Sequence, residues 1–406
     1  MTADPTFGER LRLLRERAGM SRPVLAGLVG RSPEWVKHVE SGRLATPRLP
    51  MLIRLAEVLG VGDLVELTGD QSMRINRFAY GEHPSVPAIR AAVQRYTLSR
   101  PDRAPQPVAI LRERVAAAWR AWHQSPNRRT DVGAVLPGLL VDCQDTTAVL
   151  DDGTERRDAN AVLADAYHLA QHVLVNAAPP DLLWLVVERA MAAAQAADQP
   201  LALAGAAWTV GNMLRVDGHM DEALALVHDA AGLLEPYLPD AGDEWRAMWG
   251  ALQLHGAVTA ARAGRDGDAW AHWDRADSAV HYLPAGFAHQ WTAFGEGNLR
   301  LHEVSLTVDL WKSREALRRA ESIDPVMIPS RERRGRLFVE MARGHHAADG
   351  RIAATRLLLL ACDEGVDGVR YSPAARAIVE DLRANPPSVV RGDVQALVSR
   401  LGLDPS

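Results

Sequence analysis

The chain has 406 residues, of which 47% are hydrophobic and 24% charged, and it carries a net charge of −5. That length exceeds one ordinary domain, the apolar content excludes global disorder, and no apolar run approaches the roughly 18 residues that cross a bilayer. The two cysteines, Cys143 and Cys362, lie far apart without a CxxC pattern, so neither a disulfide framework nor a zinc ribbon is expected. No basic-then-apolar leader opens the chain, and a cytoplasmic protein is expected. Charge is uneven: residues 1–60 hold ten basic and six acidic side chains, so the remainder carries about −9. A basic head on an acidic body suits a nucleic-acid reader with a separate regulatory domain.

The first predicted helix runs from Phe7 to Arg17, with Phe7, Leu11 and Leu14 on one face. Gly19 stops it, and Ser21 can cap a second helix beginning at Arg22. Ala26 is small where two helices must cross, and Gly30 supplies a left-handed turn. Ser32-Pro33 restarts a helix as N-cap and first helical residue. Val36 and Val39 then face the core, while Glu34, Lys37 and His38 point the other way. Ser41-Gly42 ends this third helix. Pro47 and Pro50 start a fourth, with Leu52, Leu55, Ala56 and Leu59 inward, and a short fifth is expected around Asp63–Leu67. Residues 1–68 thus read as a five-helix helix-turn-helix domain.

The order of these elements, with Gly-Met-Ser before the second helix and Glu40-Ser-Gly-Arg43 after the third, resembles the phage-repressor-type (Xre) DNA-binding domain. The resemblance implies that Arg22 clamps a phosphate or supports a base contact, and that the first turn of the third helix enters the major groove. Pro33 departs from the polar residue usual there, which shifts base reading to Glu34, Lys37 and His38, next to the capping Ser32. Glu34 either accepts from cytosine N4 or only complements the helix dipole. Arg43 falls where the family contacts backbone, and Arg15 with Glu40 where it keeps a buried ion pair. Trp35 either packs against the first helix or wedges on the sugar-phosphate backbone.

Residues 69–107 are broken by Gly69, Gly81, Pro84, Pro87, Pro101, Pro105 and Pro107, leaving one short helix near Val86–Leu98; a linker is expected. Helical periodicity resumes at Val108 with Leu111, Val115, Trp119 and Trp122. From there to residue 406 the chain reads as helices of 12–22 residues with short Gly, Asp or Pro breaks.

A repeat of about 34 residues is clearest at Ala207, Gly211, Leu214, Gly218, Ala223, Val227 and Pro236. A second unit holds Ala257, Gly264, Ala269 and Trp273, a third ends at Ala354, Leu358 and Ala361, and weaker ones lie near Ala164–Ala197 and Asn298–Ile323. The pattern resembles tetratricopeptide arrays, which implies roughly five helix pairs stacked into a curved α-solenoid. The expected fold is all-α, with the helix-turn-helix domain followed by this array over residues 108–406.

A head of this type on such an array resembles two groups, actinobacterial regulators of development and peptide-sensing regulators of Gram-positive bacteria. In the sensing group the concave face binds a short signal, often through asparagines. Here Trp208, Asn212 and Arg215 occupy inward positions of the best repeat, with His168 and His172 before them and Leu254 and Val258 after. A plain interhelical hydrogen bond remains an alternative role for Asn212. The His168/His172 pair lacks a third metal ligand and is read as solvated or hydrogen-bonded, with no metal and no cofactor. Trp184, Trp270 and Trp273 lie on apolar stripes and are expected in the core.

No GxSxG, P-loop, HExxH or dinucleotide fingerprint is present, so no catalytic residue is assigned and no enzyme is expected. The expectation is a regulator that binds a roughly two-fold DNA operator as a homodimer and senses a small molecule or peptide, with no membrane partner. The alternative is a scaffold whose array docks a protein partner while the head localises it. A pocket with aromatic walls and convergent polar groups would favour the first, and a long open apolar groove the second.

Overall fold

Local signals fix the head. The computed structural model describes residues 5–403 except 45, 48, 62–63, 70–81, 97–100, 102–103 and 241. The head comprises α1 (Phe7–Arg17), α2 (Arg22–Val29), α3 (Pro33–Glu40), α4 (Leu49–Leu59) and α5 (Leu64–Thr68). Thr6 and Glu9 form a reciprocal capping box on α1, and the hydroxyls of Ser21 and Ser32 accept from the amides of Val24 and Trp35. Gly19 and Gly30 turn the chain at φ 67° and 66°, a region costly for other L-residues. Leu11, Leu25, Ala26, Val36, Val39, Leu52 and Leu55 close one small core. The tightest crossing is at Gly8, where a Cβ would lie 2.4 Å from the carbonyl oxygen of Val39. Asp63 and Leu98, at the edges of two expected helices, lie outside the described residues.

After the head, α6 (Val86–Val93) leads into α7 (Val108–Gln124) and α8 (Arg128–Val149). Val86, Ile89, Ala92 and Val93 join the main core of the array, so the expected linker helix packs as one of its elements. The array continues with α9 (Thr154–Leu174), α10 (Pro180–Ala197), α11 (Pro200–Asp217), α12 (Met220–Leu234), α13 (Asp243–Arg262) and α14 (Asp266–Val280). It then runs through α15 (Glu296–Asp309), α16 (Ser313–Glu321), α17 (Arg331–Ala347), α18 (Arg351–Glu364), α19 (Val366–Arg370), α20 (Pro373–Ala384) and α21 (Arg391–Arg400). No strand occurs among the described residues.

Successive helices joined by short turns pack as hairpins, and Gly218 and Gly264 take the left-handed conformation at two of those turns. The expected repeat units correspond to α9–α10, α11–α12, α13–α14, α15–α16 and α17–α18. Packed pairs α7–α8 and α20–α21 extend the stack at both ends, beyond the five expected. Both lack the alanine-glycine spacing that marks the central units. Trp184, Trp270 and Trp273 are only partly buried.

The stack also curls back on itself, with α17 packed against α7. His123 Nδ1 lies 2.8 Å from the Ser330 hydroxyl, and the Arg129 guanidinium sits 5.0 Å over the Tyr371 ring. The connection between α14 and α15 sends Trp291 inward, where it contacts Trp119, His168 and Trp208 at ring-centroid distances of 6.1, 4.9 and 5.4 Å. Among the described residues no helix is long and apolar enough to cross a membrane.

Candidate nucleic-acid interface and interior chamber

Helix α3 divides as its sequence dictates. Val36, Val39 and Glu40 are buried, whereas Pro33, Glu34 and Lys37 are exposed. Glu40 accepts from Arg15 Nε at 2.5 Å and from Arg22 Nε at 2.7 Å. Arg22 is thereby drawn toward the core carboxylate, although its side chain stays 41% exposed. Arg43 is exposed just beyond Gly42. Trp35 packs on the rim of the head's core, with the Arg31 guanidinium 5.8 Å from its ring.

The head rests on the array through the start and middle of α3. The His38 ring lies 5.6 Å from that of Trp311, and Arg31 Nη1 donates to the Arg262 carbonyl. A Cβ on Gly264 would stand 3.7 Å from the Ser32 amide nitrogen. Burial lowers the His38 pKa, with Arg43 and Lys37 adding to the effect.

Closure of the array forms a partly open chamber of about 590 Å³. The first helices of successive pairs line it: Trp208, Asn212 and Arg215 from α11, His255 and Val258 from α13, His302 and Asp309 from α15, and Arg336 and Arg343 from α17. Trp122, Arg129 and Tyr371 come from the two ends that meet. A wider depression of about 720 Å³ along α18, lined by Met341, Ile352, Leu357 and Leu360, is largely aliphatic and has few converging polar groups.

Cations dominate the chamber wall. Seven arginines face four carboxylates among the described lining residues. Asp309 accepts from Arg343 Nη2 at 2.7 Å and Arg262 Nε at 3.2 Å. Burial alone would raise its pKa, yet these two guanidiniums hold it at about 2. Glu332 is likewise held at about 2 against the effect of burial, chiefly by Arg333 and Arg128. Arg129 donates to the carbonyls of His172, Val173 and Val175 at the end of α9, and burial brings its pKa down to about 10.

Arg215 and Arg336 are different. Arg215 donates to Asn212 Oδ1 and, at 3.2 Å, to Thr259 Oγ1, while its Nε is buried without a partner. Arg336 has no hydrogen bond or ion pair among the described residues. The histidines add no positive charge near neutrality. Burial lowers His172 to about 3 and places His255 and His302 well below the ordinary value.

Residues 6–68 match a helix-turn-helix domain family. That span is the whole head and none of the array. No curated protein matches the chain. Among solved structures, it is similar to Bacillus thuringiensis PlcR in complex with the peptide PapR7 and DNA, at 12% identity and TM-score 0.26, covering 68% of this chain and 95% of that one. The apo form of ComR from S. thermophilus matches at 12% identity and TM-score 0.26, covering 93% of this chain and 98% of that one. At those values neither likeness bears on what this chain binds.

The helix-turn-helix domain therefore presents Ser32, Glu34, Lys37 and His38 along one edge of α3, with Arg43 beyond it and Arg22 tied to Glu40. Of the array residues singled out by sequence, Trp208, Asn212, Arg215, Leu254 and Val258 line the chamber together. His168 lies beneath it, 1% exposed and stacked on Trp291. Its neighbour His172 takes the lining position, and His172 Nδ1 is 2.9 Å from the His168 carbonyl oxygen. No cluster of metal-ligating side chains occurs among the described residues. The arginines of α17 were missed because the signature residues of the third unit all lie in α18, and only closure of the array brings α17 opposite α11.

Proposed function

We propose that this chain is a sequence-specific transcriptional regulator whose head reads DNA through α3 and whose array houses a small effector. The helix-turn-helix match over residues 6–68 carries the DNA-binding half of this reading. We assign base reading to Glu34, Lys37 and His38, and backbone contacts to Arg22, Ser32 and Arg43. One head covers a single half-site, so the reading includes a homodimer on a two-fold operator with half-sites about 34–36 Å apart. A chamber with aromatic walls and converging polar groups supports an effector over a protein partner.

His38 and Ser32 serve the array in the docked arrangement, so DNA and array compete for the same edge of α3. Effector occupancy then acts by shifting that competition. Retardation of genomic fragments by the purified chain, followed by footprinting, tests the assignment. Glu34→Ala with Lys37→Ala changes only exposed side chains and should weaken the selected site by roughly tenfold or more, each base contact contributing about 1–3 kcal/mol. Retardation of that fragment unaltered by the double substitution sinks the assignment of the reading edge.

A further inference from the structure

A buried guanidinium without a carboxylate is costly, because desolvation opposes the charge and nothing offsets it. The chamber holds two arginines without a direct carboxylate pair, on two helices that both line it. Arg215 on α11 is braced by the neutral groups of Asn212 and Thr259 and leaves its Nε unused. Arg336 on α17 is partly buried and makes no direct hydrogen bond or ion pair among the described residues. The carboxylates that act on Arg336 through space, Glu340 and Glu332, are each paired with another arginine. Asp309 is already shared between Arg262 and Arg343, and Arg333, which faces Glu332, also donates to the Thr292 carbonyl. Burial moves the pKa of Arg215 well below its ordinary value, and Arg262 and Arg336 push it further. The lining arginines exceed the lining carboxylates by three.

We propose that the chamber binds a small organic phosphate monoester, its dianionic head held between Arg215 and Arg336 and its body against Trp208, Leu254 and Val258. The choice of a dianion follows from the charge. A phosphate monoester carries about −1.5 to −2 near neutral pH and offers three acceptor oxygens, enough for two forked guanidiniums. A single carboxylate neutralises only one of them. The neutral histidines add no competing cation, and Asn212 keeps its NH2 group as a further donor. The chamber's 590 Å³ also exceeds what a lone phosphate fills and lies within the ordinary range for small-molecule sites. This inference rests on reading the chamber as the effector site, and it names the effector's chemical class.

The test uses the full chain with three probes: phenyl phosphate, inorganic phosphate and phenol. Thermal melting and tryptophan fluorescence report binding, since Trp208 lines the chamber. Phenyl phosphate is expected to raise the melting temperature and change the fluorescence, with inorganic phosphate weaker and phenol without effect. Arg336→Gln is expected to weaken phenyl phosphate binding on the order of tenfold to a hundredfold. The same substitution should raise the melting temperature of the empty protein, because it reduces the chamber's excess of positive charge and breaks no direct native pair. A merely structural arginine would give the opposite sign. Phenol binding as well as phenyl phosphate, no response to either phosphate, or a destabilised Arg336→Gln protein that binds as before would each overturn the proposal. DNA retardation run with the same probes separates the two readings. Arg336-dependent binding that leaves retardation untouched keeps the anion site and rejects its role as effector site.

Discussion

Glu40 shows how one side chain can serve two halves of a motif. Its carboxylate takes Arg15 from α1 and Arg22 from α2, joining three helices around a nearly buried charge. The Arg15 pairing was legible from the resemblance. The Arg22 pairing was not, because sequence order cannot say which of two nearby acceptors a flexible side chain selects. The caps at Ser21 and Ser32 and the left-handed Gly30 were legible because they depend on only a few neighbouring residues. Glu40→Ala strands Arg15 beside an apolar core, a change that typically costs about 3–5 kcal/mol. That is comparable to the whole stability of a domain this small. Hydrogen exchange should then show protection lost over residues 7–44 while the array remains protected. Equal protection of head and array in the variant would show the ion pair to be dispensable.

Among the elements, the helix pairs announced themselves by alanine and glycine spacing, since close-packed hairpins need small residues at fixed intervals. The connection between α14 and α15 has no such period. Its shape depends on distant partners: Trp291 enters beneath Trp208, and Phe294 is fully buried against α13. Gly250 makes the latter contact possible, as a Cβ there would stand 2.1 Å from Phe294 Cζ. The ring has no exposed space into which to retreat. Gly250→Ala should therefore destabilise the array by about 1–3 kcal/mol, as overpacked cores do. Urea unfolding would report it as a lower midpoint at unchanged slope. An unmoved midpoint would mean that the connection repacks without strain.

At the scale of the molecule, closing the array turns a concave surface into an interior, and its titrating groups respond accordingly. Burial places His123 and His289 at about 4 and His172 at about 3. In the unfolded chain these histidines titrate near 6.5 and bind protons that the folded chain refuses. Stability is therefore unaffected above that pH and falls as acid drives protons onto the unfolded state. Asp309 and Glu332, held at about 2, add a second loss as pH drops below about 4.5. Calorimetry should give a melting temperature that is level from pH 8 to 7, declines below about 6.5 and declines more steeply below about 4.5. A melting temperature that rises between pH 7 and 5.5 would contradict this burial.

The contact at Arg262 has a thermodynamic consequence. Its carbonyl receives Arg31 of the head, while its guanidinium holds Asp309 in the chamber wall. An occupant that redirects this guanidinium changes the head's hold by some factor. Reciprocity then requires that DNA lifting the head change the occupant's affinity by the same factor. Operator and effector would each be the other's allosteric ligand, joined through one residue.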